Sequence, residues 1–354
     1  MTVLDETIAT IRPVDSDAAA LADQRLNSLT KPPASLGYLE EIVRRYAAIR
    51  HDGSAKKGRA AIAVFVADHG IADEGVSAFP KAVTLEMLRN IAGGGAAISV
   101  LARRFGYELR VFDVGVESDT SAQRWPGVTY RRIAAGTRNF LQDAAMTRDE
   151  ARRAIEVGIE VARDFAAAGV TLIGIGEMGI ANSTSAAAVI SAATGIAPAR
   201  LAGRGTGLDD AGLRHKIDVI ERALTMHRDT MHDGREILAS VGGFEIAAMA
   251  GVCLGGAATH VPVMVDGFIA TAAAAAANRI APGLTEHLFF AHRSAEGGHP
   301  EVLEALGAHA ILDLGMRLGE GTGAALAMST IEVALDLFHQ MATFQSAGVS
   351  GKIR

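Results

Sequence analysis

Residues 172–190 read LIGIGEMGIANSTSAAAVI, with Gly174, Gly176 and Gly179 at the spacing G-x-G-x-x-G. A short apolar run precedes the turn and a run rich in Ala, Val and Ile follows it, so the stretch predicts a strand, a turn and a helix. A dinucleotide-binding unit begins in this way. The rest of that fingerprint is missing: an Asp or Glu about 20 residues further on should hold the ribose hydroxyls, yet residues 178–208 contain no acid. The acid stands inside the turn, as Glu177, where it would repel a pyrophosphate. Two readings stay open for the loop. Asn182, Ser183 and Thr184 include preferred helix-capping types, and free backbone N–H groups at a helix start, approached over glycines, bind a single phosphate. Alternatively the loop is a capped core helix behind a glycine turn, with nothing bound.

Outward from this stretch, short apolar runs alternate with amphipathic segments: AIAVFVADHG, LRVFDVGV, VTLIGIGEMG, ILASVGGFE, VPVMVDGF and EHLFFAHRSAEGGH. Such alternation predicts an α/β fold, a parallel sheet with helices on both faces. Each run ends in glycines mixed with polar residues: Asp68-His69-Gly70, Asp113, Glu177, Gly242-Gly243, Asp266-Gly267 and Ser294 to His299. Ligands of open α/β sheets bind outside the carboxyl ends of the strands, so one large site is expected along that rim. Residues 1–59 and 311–354 read as helical. The expected division is a large α/β domain, residues 60–310, and a small helical domain built from both chain ends.

The 354 residues are 49% hydrophobic and 21% charged, with 39 Gly, 1 Trp and 4 Tyr, the composition of an Ala/Gly-rich α/β enzyme. A net charge of −6 without a long basic run lacks the electrostatic footprint of nucleic-acid binding. Cys253 is the only cysteine, which excludes an intrachain disulfide and a cysteine-based zinc site and suits a reducing cytoplasm. The N-terminus, MTVLDETIATIRPVDSD, lacks the basic and apolar regions of a signal peptide. Residues 246–265 carry no Asp, Glu, Lys or Arg over a length that would span a membrane. Their glycines, His260 and Pro262 read better as a buried helix followed by a buried strand.

A second loop, LAGRGTGLDDAGLRHKID, places Gly205 ahead of another helix and brings Arg204, Arg214 and Lys216 within reach of the first. Lys216 alone reads as an exposed helix lysine. His69, His292 and His299 stand at strand ends, but HRSAEGGH lacks the H-E-x-x-H spacing of zinc proteases, so hydrogen-bonded histidines are expected and no metal. No nucleophile elbow or P-loop occurs. In RLGEGTGAALA, glycines flank Glu320 just before a long apolar helix. A carboxylate in such a pocket has a raised pKa and accepts a proton near neutral pH; the competing role is a helix-start glutamate facing the dipole.

Nine strings now stand in order along residues 25–350: LTKPPASLGYLE, ADHGIADEGVSAFP, VTLEM with NIAGGGAAISVLA, GIGEMGIANSTSAAA, GRGTGLDD with Lys216, SVGGFEIAAMAG, HRSAEGGH, LDLGMRLGEGTGAALA and MATFQSAGVS. Together they resemble the nicotinate-nucleotide:dimethylbenzimidazole phosphoribosyltransferase family. The resemblance implies a Rossmann-like sheet, a homodimer, and transfer of the phosphoribosyl group of nicotinate mononucleotide to dimethylbenzimidazole for the lower loop of cobalamin, with neither metal nor organic cofactor. It implies that Glu320 is the catalytic glutamate, that Glu177 and Lys216 lie near the ribose and leaving group, and that Gly176, Gly179, Asn182, Ser183, Thr184, Gly205 and Ser294 surround the phosphoribosyl moiety. The base pocket falls on Ala78, Phe79, Glu86 and Met87. Here the sequence departs from the family pattern, with Glu86 in place of Gln and Ala78-Phe79 in place of the Ser-Tyr of some members.

Overall fold

The computed structural model describes residues 1–118, 120, 124–205 and 207–350 and holds one sheet of seven parallel strands. These are β1 Arg59–Ala67, β2 Glu108–Gly115, β3 Val128–Tyr130, β4 Val170–Met178, β5 Val263–Val265, β6 Leu288–His292 and β7 Ala310–Leu312. Their order is β3-β2-β1-β4-β5-β6-β7. The chain builds outward from β1 to one edge, returns, and builds from β4 to the other, so the switch point of the topology lies between β1 and β4. Phe65 of β1 pairs there with Glu177 of β4.

The central strand is buried on both sides, and its side chains divide by the period of two that a strand imposes. Ala61, Ala63, Phe65 and Ala67 join one core, while Ile62, Val64 and Val66 join the other. Over the first face lie α6 (Arg148–Ala167), α7 (Asn182–Thr194), α9 (Asp210–His227), α10 (Gly234–Val241), α11 (Phe244–Ala258) and α12 (Phe268–Ile280). The short helices α8 (Pro198–Leu201) and α13 (His299–Ala305) contribute Leu201, Val302 and Leu303 to the same core. Over the second face lie α2 (Ser16–Ser28), α3 (Tyr38–Arg50), α4 (Ala82–Ala92), α5 (Ala97–Phe105) and α14 (Thr322–Gln340).

The chain ends meet on the second face: Arg25 donates to the Phe338 and His339 carbonyls, and Leu29 bridges Thr343 just before α15 (Phe344–Ala347). The first helix, α1 (Val3–Thr10), packs instead on α6 and α11, across the sheet.

Residues 246–265 form a helix and then a strand, as expected, and no helix among the described residues is long and apolar enough to cross a membrane. Gly158 and Gly251 bring α6 and α11 to backbone contact, since a Cβ on either would strike the other helix's carbonyl oxygens. Cys253 is sealed there, and burial pushes its thiol up to about 12, which leaves it unreactive. One expected strand is not a strand. ILASVGGFE forms the end of α10, a turn and the start of α11. Asp233 caps α10 by accepting from the Arg235 and Glu236 N–H groups, and that signal lies upstream of the apolar run.

Candidate active site

A cleft opens outside the carboxyl ends of β1, β4, β5 and β6, at the switch point, where doubly wound sheets bind ligands. Its floor is the turn after β4, and its far wall is the segment leading into α14.

Two buried carboxylates, Glu177 and Asp266, line one end of the cleft, and a third, Glu320, is buried next to that end without forming part of the cleft wall. Glu177 ends β4 and accepts a hydrogen bond from the Asn182 amide. Burial pushes it up to about 8, reinforced by Glu245, Asp266 and Glu320. Asp266, just past β5, accepts from the Gly321 N–H at 3.2 Å and the Ala324 N–H at 2.7 Å. It therefore caps α14, and its own carboxyl is held by burial at about 7. The dipole of α14 is already answered by Asp266, and Glu320 stands outside the helix with φ +63°. Glu320 is 5% exposed, its Oε2 has no hydrogen-bond partner, and burial raises its pKa while the Ile98 N–H at the start of α5 lowers it. Gly176 is bare because a Cβ there would collide with the backbone of Glu320 and Gly321. The second glycine of the opening motif thus seats the candidate base.

The other end carries the cations. Lys216 on α9 is fully buried, and its Nζ donates to Ser183 Oγ at 2.9 Å and the Gly203 carbonyl at 3.2 Å. Burial pulls it down to about 8, against the pull of Glu296. Lys216 is thus not the exposed helix lysine that its residue type suggests: α9 packs on α7 and holds this position inward, on the face of Val219, Ile220 and Ala223. Glu296 Oε1 accepts from the Gly205 N–H at 3.0 Å. Arg317, which no local motif announces, donates to the Gly205 carbonyl at 2.9 Å. Gly179, Asn182, Ser183, Gly205, Ser294 and Arg317 all border the cleft.

Asn182, Ser183 and Thr184 are not the cap of α7. The N-cap is Ala181, with φ +72° and no side-chain cap, because Asn182 turns to Glu177 and Ser183 to Lys216. Thr184 is buried with Oγ1 unpartnered. The start of α7 therefore faces the cleft with its N–H end free of capping side chains, the geometry that suits an anion.

Of the four positions assigned to the base, Phe79 stands at the cleft mouth and is half-exposed. Ala78, Glu86 and Met87 are not part of the cleft wall. Glu86 is exposed, since Thr84, Leu88 and Ile91 carry the buried face of α4. The strand-end histidines His69 and His299 have protein partners. His69 Nε2 pairs with Glu245 Oε1 at 2.6 Å, and His299 bonds the Ser294 N–H and Thr271 Oγ1. Among the described residues no three His, Cys, Asp or Glu side chains converge as a metal-binding group.

The chain is similar to known proteins over nearly its whole length. The sequence profile of a phosphoribosyltransferase family matches residues 11–349. A nicotinate-nucleotide-dimethylbenzimidazole phosphoribosyltransferase from Geobacter sp. (strain M21) is 49% identical over 350 residues, covering 99% of this chain and 100% of the relative. One of the same name from Chloroflexus aggregans is 49% identical over 352 residues, covering 99% of each. A crystal structure of CobT from Thermus thermophilus superposes with a TM-score of 0.90 at 46% identity, covering 95% of this chain and 100% of that one.

Proposed function

The chain belongs to the nicotinate-nucleotide:dimethylbenzimidazole phosphoribosyltransferase family, and from that premise we propose that its cleft moves the phosphoribosyl group of nicotinate mononucleotide onto dimethylbenzimidazole, with inversion at C1′. The product is α-ribazole phosphate, for the nucleotide loop of cobalamin. We assign the phosphate to the end formed by the start of α7, Ser183, Lys216, Gly205 and Arg317, with Gly179, Asn182, Thr184 and Ser294 supporting it. Phe79 covers the incoming base.

The donor's pyridinium nitrogen is cationic. When the C1′–N bond breaks, its electron pair neutralises that nitrogen, so nicotinate leaves without acid help. The nucleophile needs more. The lone-pair nitrogen of the benzimidazole attacks C1′ from the face opposite nicotinate, which converts a β-linkage into an α-linkage, and the new product remains a cation until the N–H proton is removed. Glu320 takes that proton. Glu177, beside it, answers the positive charge that develops at C1′. Base catalysis of this kind contributes about 10²–10⁴-fold, and holding both substrates in line adds a comparable or larger factor.

The observation that carries this reading is the buried Glu320 carboxylate with Oε2 free of any hydrogen-bond partner, at a helix start already served by Asp266. The protein acts as a homodimer in the cytoplasm on this reading. The test is to incubate it with nicotinate mononucleotide and dimethylbenzimidazole and follow nicotinate release. Release that depends on both substrates, with an α-configured product by its anomeric proton signal, supports the reading; release without the base makes the protein a hydrolase.

A further inference from the structure

An acid stands at the end of the cleft assigned to the phosphate. Glu296, in the turn between β6 and α13, borders the cleft together with Gly205, Ser294 and Arg317. A carboxylate opposes an anion there, and the proposed reaction gives it no task. Its backbone is anchored on both sides: the Ser294 N–H donates to His299 Nδ1 at 2.8 Å, the Ala295 N–H to the Met316 carbonyl at 2.9 Å, and the Glu296 N–H to Ser294 Oγ at 3.2 Å. From this fixed base Glu296 Oε1 accepts from the Gly205 N–H at 3.0 Å. Gly203 makes the room, since a Cβ on it would collide with the Glu296 carboxylate.

The other polar group of the same residue is held from a different segment. Arg317 Nη1, on the stretch leading into α14, donates to the Gly205 carbonyl at 2.9 Å. Gly205 has φ +52° and lies against the two side chains that the phosphate needs: a Cβ on it would come to 3.2 Å from Ser183 Oγ and 3.6 Å from Lys216 Nζ. Lys216 itself donates to the Gly203 carbonyl at 3.2 Å. Glycine backbone has the most conformational freedom to lose on ordering. An acceptor from one segment and a donor from another thus hold both polar groups of a residue whose own type leaves it free, at the point where it walls Ser183 and Lys216.

We propose that Glu296 is a positioning residue for the phosphate: by accepting the Gly205 N–H it fixes residues 203–205 against Ser183 and Lys216 before the nucleotide arrives, and it does so through its reach and not through its charge. Nucleotide binding then does not carry the cost of ordering that backbone. The rival account is electrostatic, because Glu296 also raises the pKa of the buried Lys216. The inference rests on the function proposed above, since that reading puts the phosphate at this end.

Three substitutions separate the accounts. Glu296→Gln keeps the reach and removes the charge, Glu296→Asp keeps the charge and withdraws the acceptor, and Glu296→Ala removes both. The readouts are steady-state kinetics with nicotinate mononucleotide and dimethylbenzimidazole, and a phosphorus NMR titration of inorganic phosphate into the full-length protein. Glu296→Asp and Glu296→Ala should raise KM for the nucleotide about tenfold and weaken inorganic phosphate by a similar factor, the scale of one backbone residue left to be ordered, with kcat and the KM of the base unmoved. Glu296→Gln should restore both affinities to within about threefold of wild type, since an amide oxygen accepts the same N–H. Loss in Glu296→Gln with Glu296→Asp intact would make the residue a charge partner of Lys216 and overturn the proposal. So would an unmoved or tighter phosphate affinity in a folded Glu296→Ala or Glu296→Asp variant. Where neither of these folds, Glu296→Gln alone decides between reach and charge. A wild type that binds inorganic phosphate but never releases nicotinate removes the functional reading and leaves the positioning role to be judged by the phosphate titration.

Discussion

Near one end of the cleft Glu177, Asp266 and Glu320 are buried with, among the described residues, no cationic side chain bonded to them; near the other, Lys216 is buried, its Nζ bonded to Ser183 and the Gly203 carbonyl with Glu296 close enough to pull on it. Both ends hold ionisable groups out of water, and burial moves them oppositely, the acids upward and the lysine downward. The difference teaches how the site is divided. A ligand that is cationic at its glycosidic nitrogen and anionic at its phosphate supplies the missing counter-charge at each end, in one orientation only. The empty protein bears the cost of both unpaired ends.

Removing the base should have the largest effect. Glu320→Gln is expected to fold and to bind nicotinate mononucleotide normally while losing about 10²-fold or more in turnover. Turnover measured beside nucleotide affinity checks this, and a variant within about threefold of wild type would take the base role from Glu320.

Next comes the cationic end. Lys216→Ala should weaken the nucleotide by about 1.5–3 kcal/mol, the worth of a charge-assisted hydrogen bond, while sparing the benzimidazole. Separate calorimetric titrations distinguish this from a general folding defect, which would weaken both ligands. Lys216→Met sharpens the contrast further: it should cost affinity in the same way but raise the melting temperature of the empty protein, because a buried cation gives way to an apolar chain.

A smaller effect separates the two ends by pH. Glu177 binds its proton more tightly folded, at about 8, than at its ordinary 4.5, so its contribution to stability is full below 4.5 and is lost as pH rises through 8. Lys216 releases its proton more readily folded, at about 8 against 10.5, so stability rises from 8 towards 10.5. Thermal melts of the empty protein should therefore decline from mildly acidic pH towards about 8. Glu177→Gln should flatten that decline, and Lys216→Met should flatten the recovery at higher pH.

The smallest expected effect is at Glu86. Exposed on α4 and outside the cleft wall, it should not choose the base. Competition between benzimidazole, adenine and a phenol should give the same product ratios in wild type and Glu86→Gln, and a changed ratio would extend the site onto α4.

What the sequence made legible follows the same division. The strand, turn and helix of residues 170–194 are readable from local pattern, because an apolar run, a glycine turn and an Ala-rich run each declare themselves within a few residues. ILASVGGFE reads wrongly as a strand because a buried helix end and a buried strand are equally apolar, and its cap lies outside the window. Asp266 as the cap of α14 is not legible at all: the two are far apart in the chain and meet only because β5 ends beside the start of α14. Lys216 shows the same limit. Its residue type reads as a surface lysine although it shares a face of α9 with Val219, Ile220 and Ala223, and the pairing of His69 with Glu245 depends on where β1 ends relative to α11.

The most direct measurement is a crystal structure of the protein with nicotinate mononucleotide bound. The phosphate should lie on the start of α7 within hydrogen-bond reach of Ser183 or Lys216, with C1′ beside Glu177 and an open approach from the Glu320 side. A nucleotide bound the other way round, with its phosphate towards Glu177 and Asp266, would contradict the division of the cleft and the mechanism built on it.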